Sequence, residues 1–292
     1  MQLVLHAGAY VTDEDRLMRS LLDNRETLAR NGVELSHPTA YRKPLRDLLQ
    51  RASEGKAPKG DAETTLRSFC KINQNPRRVV FSVPDLFGTA KMAVGGGTLY
   101  PHAVDRLDSF RQVFPDHEVE FHLGLCNPAT FFPRLLEQSH FMSMPDLLRG
   151  FEPEDFRWSE LISRIRHSLP DLPITVWCNE DTPLIWSAVL YSLAGLEQTI
   201  DLQSEFAILK HIVAPNALKQ FHSFIEARPD MDETQKRRII SVFLEKYALT
   251  DAIEDEIDQP NWDQARVERL TELYDEDISE ICTIDGVQVI EP

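Results

Sequence analysis

The chain has no run approaching the roughly eighteen consecutive apolar residues that a helical membrane crossing requires. Insertion into a bilayer is therefore not expected. Cysteine is sparse and is not spaced for metal: Cys70, Cys126, Cys178 and Cys282 contain no CxxC pair. That pattern speaks against a structural zinc site, and a disulfide framework would be unusual in a chain of 292 residues. Cationic side chains are in deficit, with 31 Lys plus Arg against 47 Asp plus Glu and a formal net charge of −16. A protein of that sign is repelled by polyanions, so general affinity for nucleic acid or an anionic membrane surface is not expected. A conventional phosphate loop is missing as well. Gly95-Gly96-Gly97 lacks the G-K-[ST] ending, no recognisable strand feeds it, and it reads as a mobile loop or lid. The start, MQLVLHAGAY, is too short and has no basic segment to act as a signal peptide. The expectation is an acidic cytoplasmic protein with reduced, mostly buried thiols.

What is present is ordinary globular composition, 42% hydrophobic and 27% charged. Short apolar runs at Gln2–His6, Val33–Leu35, Arg78–Val83, Glu118–Leu125 and Ile174–Cys178 read as strands. Between them stand amphipathic helical patterns: Thr12–Asn31, Pro44–Ala52, Ala62–Lys71, Pro101–Phe114, a helix opening at Asn127-Pro128, and Trp158–Ser168. Alternation of this kind implies a mostly parallel sheet flanked by helices, an α/β fold. From Pro183 the pattern is nearly all helical, and Gly286–Ile290 reads as an edge strand or docked tail. The expected organisation is one domain over 1–292, with an α/β core at 1–182 and a mainly helical part at 183–292. The acidic stretch Glu254–Asp258 reads as solvated surface, and Trp158, Trp177, Trp186 and Trp262 as core or rim packing.

The first unit is the clearest. A strand ends in His6-Ala7-Gly8-Ala9-Tyr10. Thr12 is placed to cap the following helix, with Asp13, Glu14 and Asp15 in its first turn and Leu17, Leu21 and Leu28 on one face. This strand, loop and helix resemble the donor-phosphate loop of the sulfotransferase superfamily, whose bacterial members commonly read like H-x-G-x-x-K-T-G-T-T. His6, Gly8 and Thr12 fit that pattern. The strand ending at Ser82 resembles the family's Ser-x-Glu strand. Leu125-Cys126-Asn127-Pro128 resembles its Arg-x-Pro stretch, and Leu172–Trp186 and Tyr274–Ile290 resemble its late strand and C-terminus. The resemblance implies a P-loop-NTPase-like sulfotransferase architecture. It also implies 3′-phosphoadenosine 5′-phosphosulfate (PAPS) as sulfate donor, held by backbone amides, a lysine and hydroxyls at a helix N-terminus.

The sequence departs from that pattern where the donor would bind. The loop lysine position carries Val11, the 3′-phosphate arginine position carries Cys126, the following serine aligns with Arg134, and the glutamate of Ser-x-Glu aligns with Pro84, beside Asp85. A lysine–phosphate contact contributes roughly 1.5–3 kcal/mol. A carboxylate about 4 Å from a phosphate charge costs several kcal/mol at an effective dielectric near 20. PAPS is therefore disfavoured and no cofactor is assigned. The expected function is a sulfotransferase-like protein, non-canonical or inactive towards PAPS, that binds a small anionic or sugar-like ligand through His6, Gly8, Tyr10, Thr12, Asp13, Ser82, Asp85 and Arg134. Two alternatives stay open: an active transferase with a rearranged donor site using Arg134, and a metal-dependent phosphoryl-transfer or hydrolytic enzyme built on Asp13, Glu14, Asp15 and Asp85. Simple helix capping by the acids, a packed structural His6 and a buried inert Cys126 are the plainer readings of the same residues. No catalytic residue is assigned, and the oligomeric state stays open.

Overall fold

The computed structural model describes residues 1–56, 62–70, 76–139, 143–249 and 262–292. The acidic stretch 254–258 and most of the loop 54–61 lie outside the described residues. Five strands fall where the short apolar runs predicted them: β1 Gln2–His6, β2 Val33–Leu35, β3 Arg78–Ser82, β6 Glu118–Leu125 and β7 Ile174–Cys178. With β8, Val287–Ile290, they form one six-stranded sheet in the order β2-β3-β1-β6-β7-β8, and every pairing in it is parallel. The fold is α/β, with the C-terminal tail supplying an edge strand. The chain moves outward from β1 to β2 and β3 on one side, then crosses to β6 on the other. That reversal opens a crevice at the carboxyl ends of β1 and β6, the usual ligand position in open parallel sheets.

Among the described residues the α-helices are α1 Arg16–Asp23, α2 Arg25–Arg30, α3 Pro38–Ser53, α4 Ala62–Phe69, α5 Ala103–Val113, α6 Pro128–Ser139, α7 Met144–Leu148, α8 Trp158–Ser168, α9 Thr182–Ala194, α10 Leu209–Ile212, α11 Pro215–Glu226, α12 Glu233–Tyr247 and α13 Gln264–Ile281. The strands' two-residue period sorts the core into two layers. Leu3 and Leu5 join one cluster with Tyr41 of α3, Phe110 of α5, Phe131 of α6, Leu161 of α8 and Leu270 of α13. Val4 and Val80 face the other way, onto Leu17 and Leu21 of α1, Val189 of α9 and Phe221 of α11. All four tryptophans are buried. No helix among the described residues is long and apolar enough to cross a membrane.

Two expectations need correction. The single helix over Thr12–Asn31 is two helices with a break at Asn24, and the first begins at Arg16. Thr12–Asp15 belong to the preceding loop, so no acid lies in the first turn of α1. The triple glycine is not an open loop but the turn of a small hairpin between β4, Val94–Gly95, and β5, Thr98–Leu99. Gly96 and Gly97 both have positive φ (60° and 75°), as a two-residue hairpin turn of type I′ demands.

The sheet's amino-terminal edge holds a buried polar network. Arg78 donates to Gln2 Oε1 (2.8 Å), Glu120 Oε2 (2.5 Å) and the carbonyls of Ser192 and Leu193 at the end of α9 (3.0 and 2.9 Å). Burial would raise the Glu120 carboxyl, but His122 and Arg78 outweigh it and bring it down to about 2.

Candidate functional site

The loop after β1 is stitched to β6. The Gly124 N–H donates to the Gly8 carbonyl (2.6 Å) and the Ala9 N–H donates back to the Gly124 carbonyl (2.9 Å). Gly8 has φ +93°, and a Cβ there would sit 2.8 Å from the Tyr10 backbone nitrogen and 3.3 Å from the Pro84 carbonyl oxygen. Only glycine meets both demands. Gly8→Ala is expected to lower stability by about 2–4 kcal/mol, read by chemical denaturation. Beyond it, the Tyr10 N–H donates to the Tyr100 hydroxyl (3.2 Å), and the Thr12 hydroxyl donates to the Ala9 carbonyl (2.7 Å). Thr12 thus folds the loop back on itself instead of capping α1.

The N-cap position of α1 is Asp15, whose side chain makes no capping hydrogen bond, and Asp13 reaches the first turn instead. Its backbone carbonyl takes the Arg16 N–H (2.8 Å) and its side-chain Oδ2 takes the Leu17 N–H (3.3 Å). The three neighbouring acids diverge. Asp13 is buried, Glu14 is exposed and pairs with Arg16 (2.8 Å), and Asp15 pairs with Arg42. Arg42 hydrogen bonds hold the Asp15 carboxyl below the usual carboxylate range, while its Nε donates to the Ser82 carbonyl (2.9 Å). Asp85 pairs with Arg46. The carboxylates proposed to gather around a cation are therefore not brought together. Among the described residues no group of three His, Cys, Asp or Glu side chains is placed to hold a metal.

His6 lies beneath the loop, fully packed. Its Nε2 is 3.1 Å from the Gly8 carbonyl, which can only accept, so the ring proton is on Nε2 and the Ser82 hydroxyl donates to Nδ1 (3.0 Å). Burial lowers its pKa, and the neutral ring stacks on Trp177 with centroids 5.7 Å apart. His6 and Ser82 support the loop from below.

At α6 the Asn127 side chain takes the Ala129 N–H (2.9 Å), and a carboxylate stands beside it. The Asn127 N–H, at the head of that helix, donates to Glu180 Oε1 (2.8 Å), and the Tyr274 hydroxyl donates to Glu180 Oε2 (3.1 Å). Cys126 is fully buried, and burial pushes its thiol up and so favours the protonated form.

Over the carboxyl ends of β1, β6 and β7 lies a cavity of about 620 Å³. Of the residues singled out from the sequence, Thr12, Asp13 and Arg134 line it; His6, Gly8, Tyr10, Ser82 and Asp85 do not. Glu180, Asn179 and Trp186 line it too and were not picked as site residues. Their signal was available: the run Asn179-Glu180-Asp181-Thr182 follows directly on a core strand, at the edge where open sheets bind ligands.

This geometry defines an α/β protein with an open parallel sheet and a polar cavity at its topological switch point. No protein-family model matches the chain, and no curated protein matches it. Among solved structures it is similar to a sulfotransferase from Alicyclobacillus acidocaldarius, with 12% identity over 81% of this chain and 95% of that one, at a TM-score of 0.38.

Proposed function

We propose that the chain is a sulfotransferase-like protein whose donor site has been closed to PAPS, and that it acts by binding another small molecule in the cavity at the switch point. One observation carries the reading. The α1 and α6 N-termini that face this cavity, the natural seats for an anion, already hold carboxylates of the chain itself, Asp13 and Glu180. A helix N-terminus stabilises one anionic charge by up to about 2 kcal/mol, and that stabilisation is already taken. An incoming phosphate would then meet a carboxylate at a cost of about 4 kcal/mol per charge pair at 4 Å and an effective dielectric of 20. The loss of the family's lysine and arginine at Val11 and Cys126 acts in the same direction.

Arg134 and Thr12 share the cavity, and that favours a second reading, an active transferase with a rearranged donor site. Calorimetric titration with adenosine 3′,5′-bisphosphate separates the two. No heat of binding is expected at micromolar concentrations, whereas micromolar affinity would establish the rearranged donor site and end the first reading.

A further inference from the structure

We propose that a small cavity between α1 and α10 is a site for an oxyanion, held by Arg19 and Lys210 with Arg16 and His211 at its edge. The inference goes beyond the reading above, since none of these four residues belongs to the donor pattern.

The cavity measures about 180 Å³, and Arg16 and Arg19 of α1 line it together with Lys210 and His211 of α10. Four basic side chains on one small cavity run against the composition of a chain with 47 acids and 31 Lys plus Arg. They are also short of counter-charge. Among the described residues the Lys210 and His211 side chains make no hydrogen bond or ion pair. Arg19 donates to the backbone carbonyls of Glu14 and Asp15, which carry no net charge. Of the four, among the described residues, Arg16 alone reaches an acid within ion-pair distance, Glu14 at 2.8 Å. Asp23 lines the cavity too, and its carboxylate takes the Ser204 hydroxyl (3.0 Å).

The positive field is felt at His211 itself: burial, then Arg16, Lys210 and Arg19, lower its pKa, with Glu14 acting the other way. Like charges gathered around an open space repel one another, and an anion among them removes that repulsion. Buried Trp186 and Ile208 give the cavity an apolar side that keeps water off it, which strengthens charge interactions there. A forked guanidinium beside an ammonium suits the oxygens of a sulfate, phosphate or carboxylate group. Arg16, Trp186, Ile208 and His211 also line the larger switch-point cavity. The same chemistry is therefore offered by a free inorganic anion and by the anionic end of a molecule that fills the larger cavity.

The test adds sulfate, which does not titrate near neutral pH, to the full chain at constant ionic strength. Binding is followed by the His211 ring resonances, assigned by their loss in His211→Gln. Saturable shifts are expected, with His211 titrating at higher pH when sulfate is bound, because the anion stabilises the imidazolium. Lys210→Glu and Arg19→Gln replace exposed side chains, and each is expected to weaken sulfate about tenfold or more. Arg51→Glu, in the last turn of α3 and not on this cavity, makes the same charge change as Lys210→Glu and is expected to alter affinity less than about twofold. Circular dichroism checks that each variant is folded. Glucose 6-phosphate, with glucose as its control, identifies the source of the anion. Tighter binding than sulfate marks the anionic end of a larger ligand, and equal or weaker binding marks a free anion. No saturable response to either anion, wild-type affinity in folded Lys210→Glu, or an equal loss in Arg51→Glu would overturn the inference.

Discussion

Replacing Arg78 with methionine is expected to lower the unfolding free energy by about 3–5 kcal/mol, the range for breaking a buried ion pair on one side. Denaturant titration gives the value directly, and a fall in Tm of roughly 5–8 °C should accompany it. The size follows from what the guanidinium holds. Arg78 sits almost fully inside the sheet and closes four hydrogen bonds: to Gln2 of β1, Glu120 of β6 and two carbonyls at the end of α9. Methionine fills much of the volume and satisfies none of these groups. Glu120 would keep its charge in a half-buried position with His122 as its remaining partner, and the α9 carbonyls would lose their donors. A double replacement with Glu120→Gln is expected to recover part of the loss, because the stranded charge is then removed.

The second large effect is acid sensitivity that begins at unusually mild pH. His6 and His122 are both fully buried and lie side by side on adjacent strands, and burial lowers the pKa of each from 6.5. The unfolded chain therefore binds protons at these two positions before the folded chain does. Stability is complete above about pH 6.5 and falls as the pH drops below it, with a slope of at most about 2.7 kcal/mol per pH unit for two histidines. Protonation of His6 at Nδ1 makes the Ser82 hydroxyl turn from donor to acceptor, and His122 Nδ1 is buried with no hydrogen-bond partner among the described residues. Glu120 adds a later step of the same sign. Its pKa is depressed from 4.5 to about 2, so its contribution is present above 4.5 and is lost as the pH falls towards 2. With solvent screening allowed for, that step amounts to about 2 kcal/mol. Unfolding free energies measured from pH 8 to 4 should show the first fall, and His122→Gln should roughly halve its slope. A curve flat between pH 7 and 5 would contradict the burial argument.

Much of the scaffold was legible in the sequence. The runs QLVLH, EVEFHLGL and ITVWC are strands over the residues expected, because each is short, apolar and bounded by turn residues. Trp158–Ser168 is a helix over the expected span, and Leu17, Leu21 and Leu28 are buried in one cluster, although two helices and not one carry them. The start of α1 was misplaced by four residues for a physical reason. Thr-Asp-Glu-Asp has the local chemistry of a cap and first turn, but long-range contacts pull it into the loop: Ala9 to Gly124, Tyr10 to Tyr100 and Asp15 to Arg42. Those partners are distant in the chain, so periodicity and capping rules do not register them.

The candidate site was half legible for the same reason. Val11 and Cys126 stand out in one dimension, because a missing lysine or arginine is a local fact. That Asp13 accepts from the first turn of α1, that Glu180 reaches across 53 residues to Asn127, and that the Trp186 indole has no acceptor among the described residues are facts about neighbours in space. The sequence by itself determined the layers of this protein, since hydrophobic period and turn chemistry act over a few residues. It also determined that the loop after His6-Ala7-Gly8 lacks the cation of the pattern it resembles. Only the tertiary structure decided where the three acids of that loop point, and that two of the chain's carboxylates occupy the helix N-termini at the crevice. Charge placement depends on which side chains from other strands and helices come within a few ångströms, and Coulomb interactions and hydrogen bonds act over exactly that range.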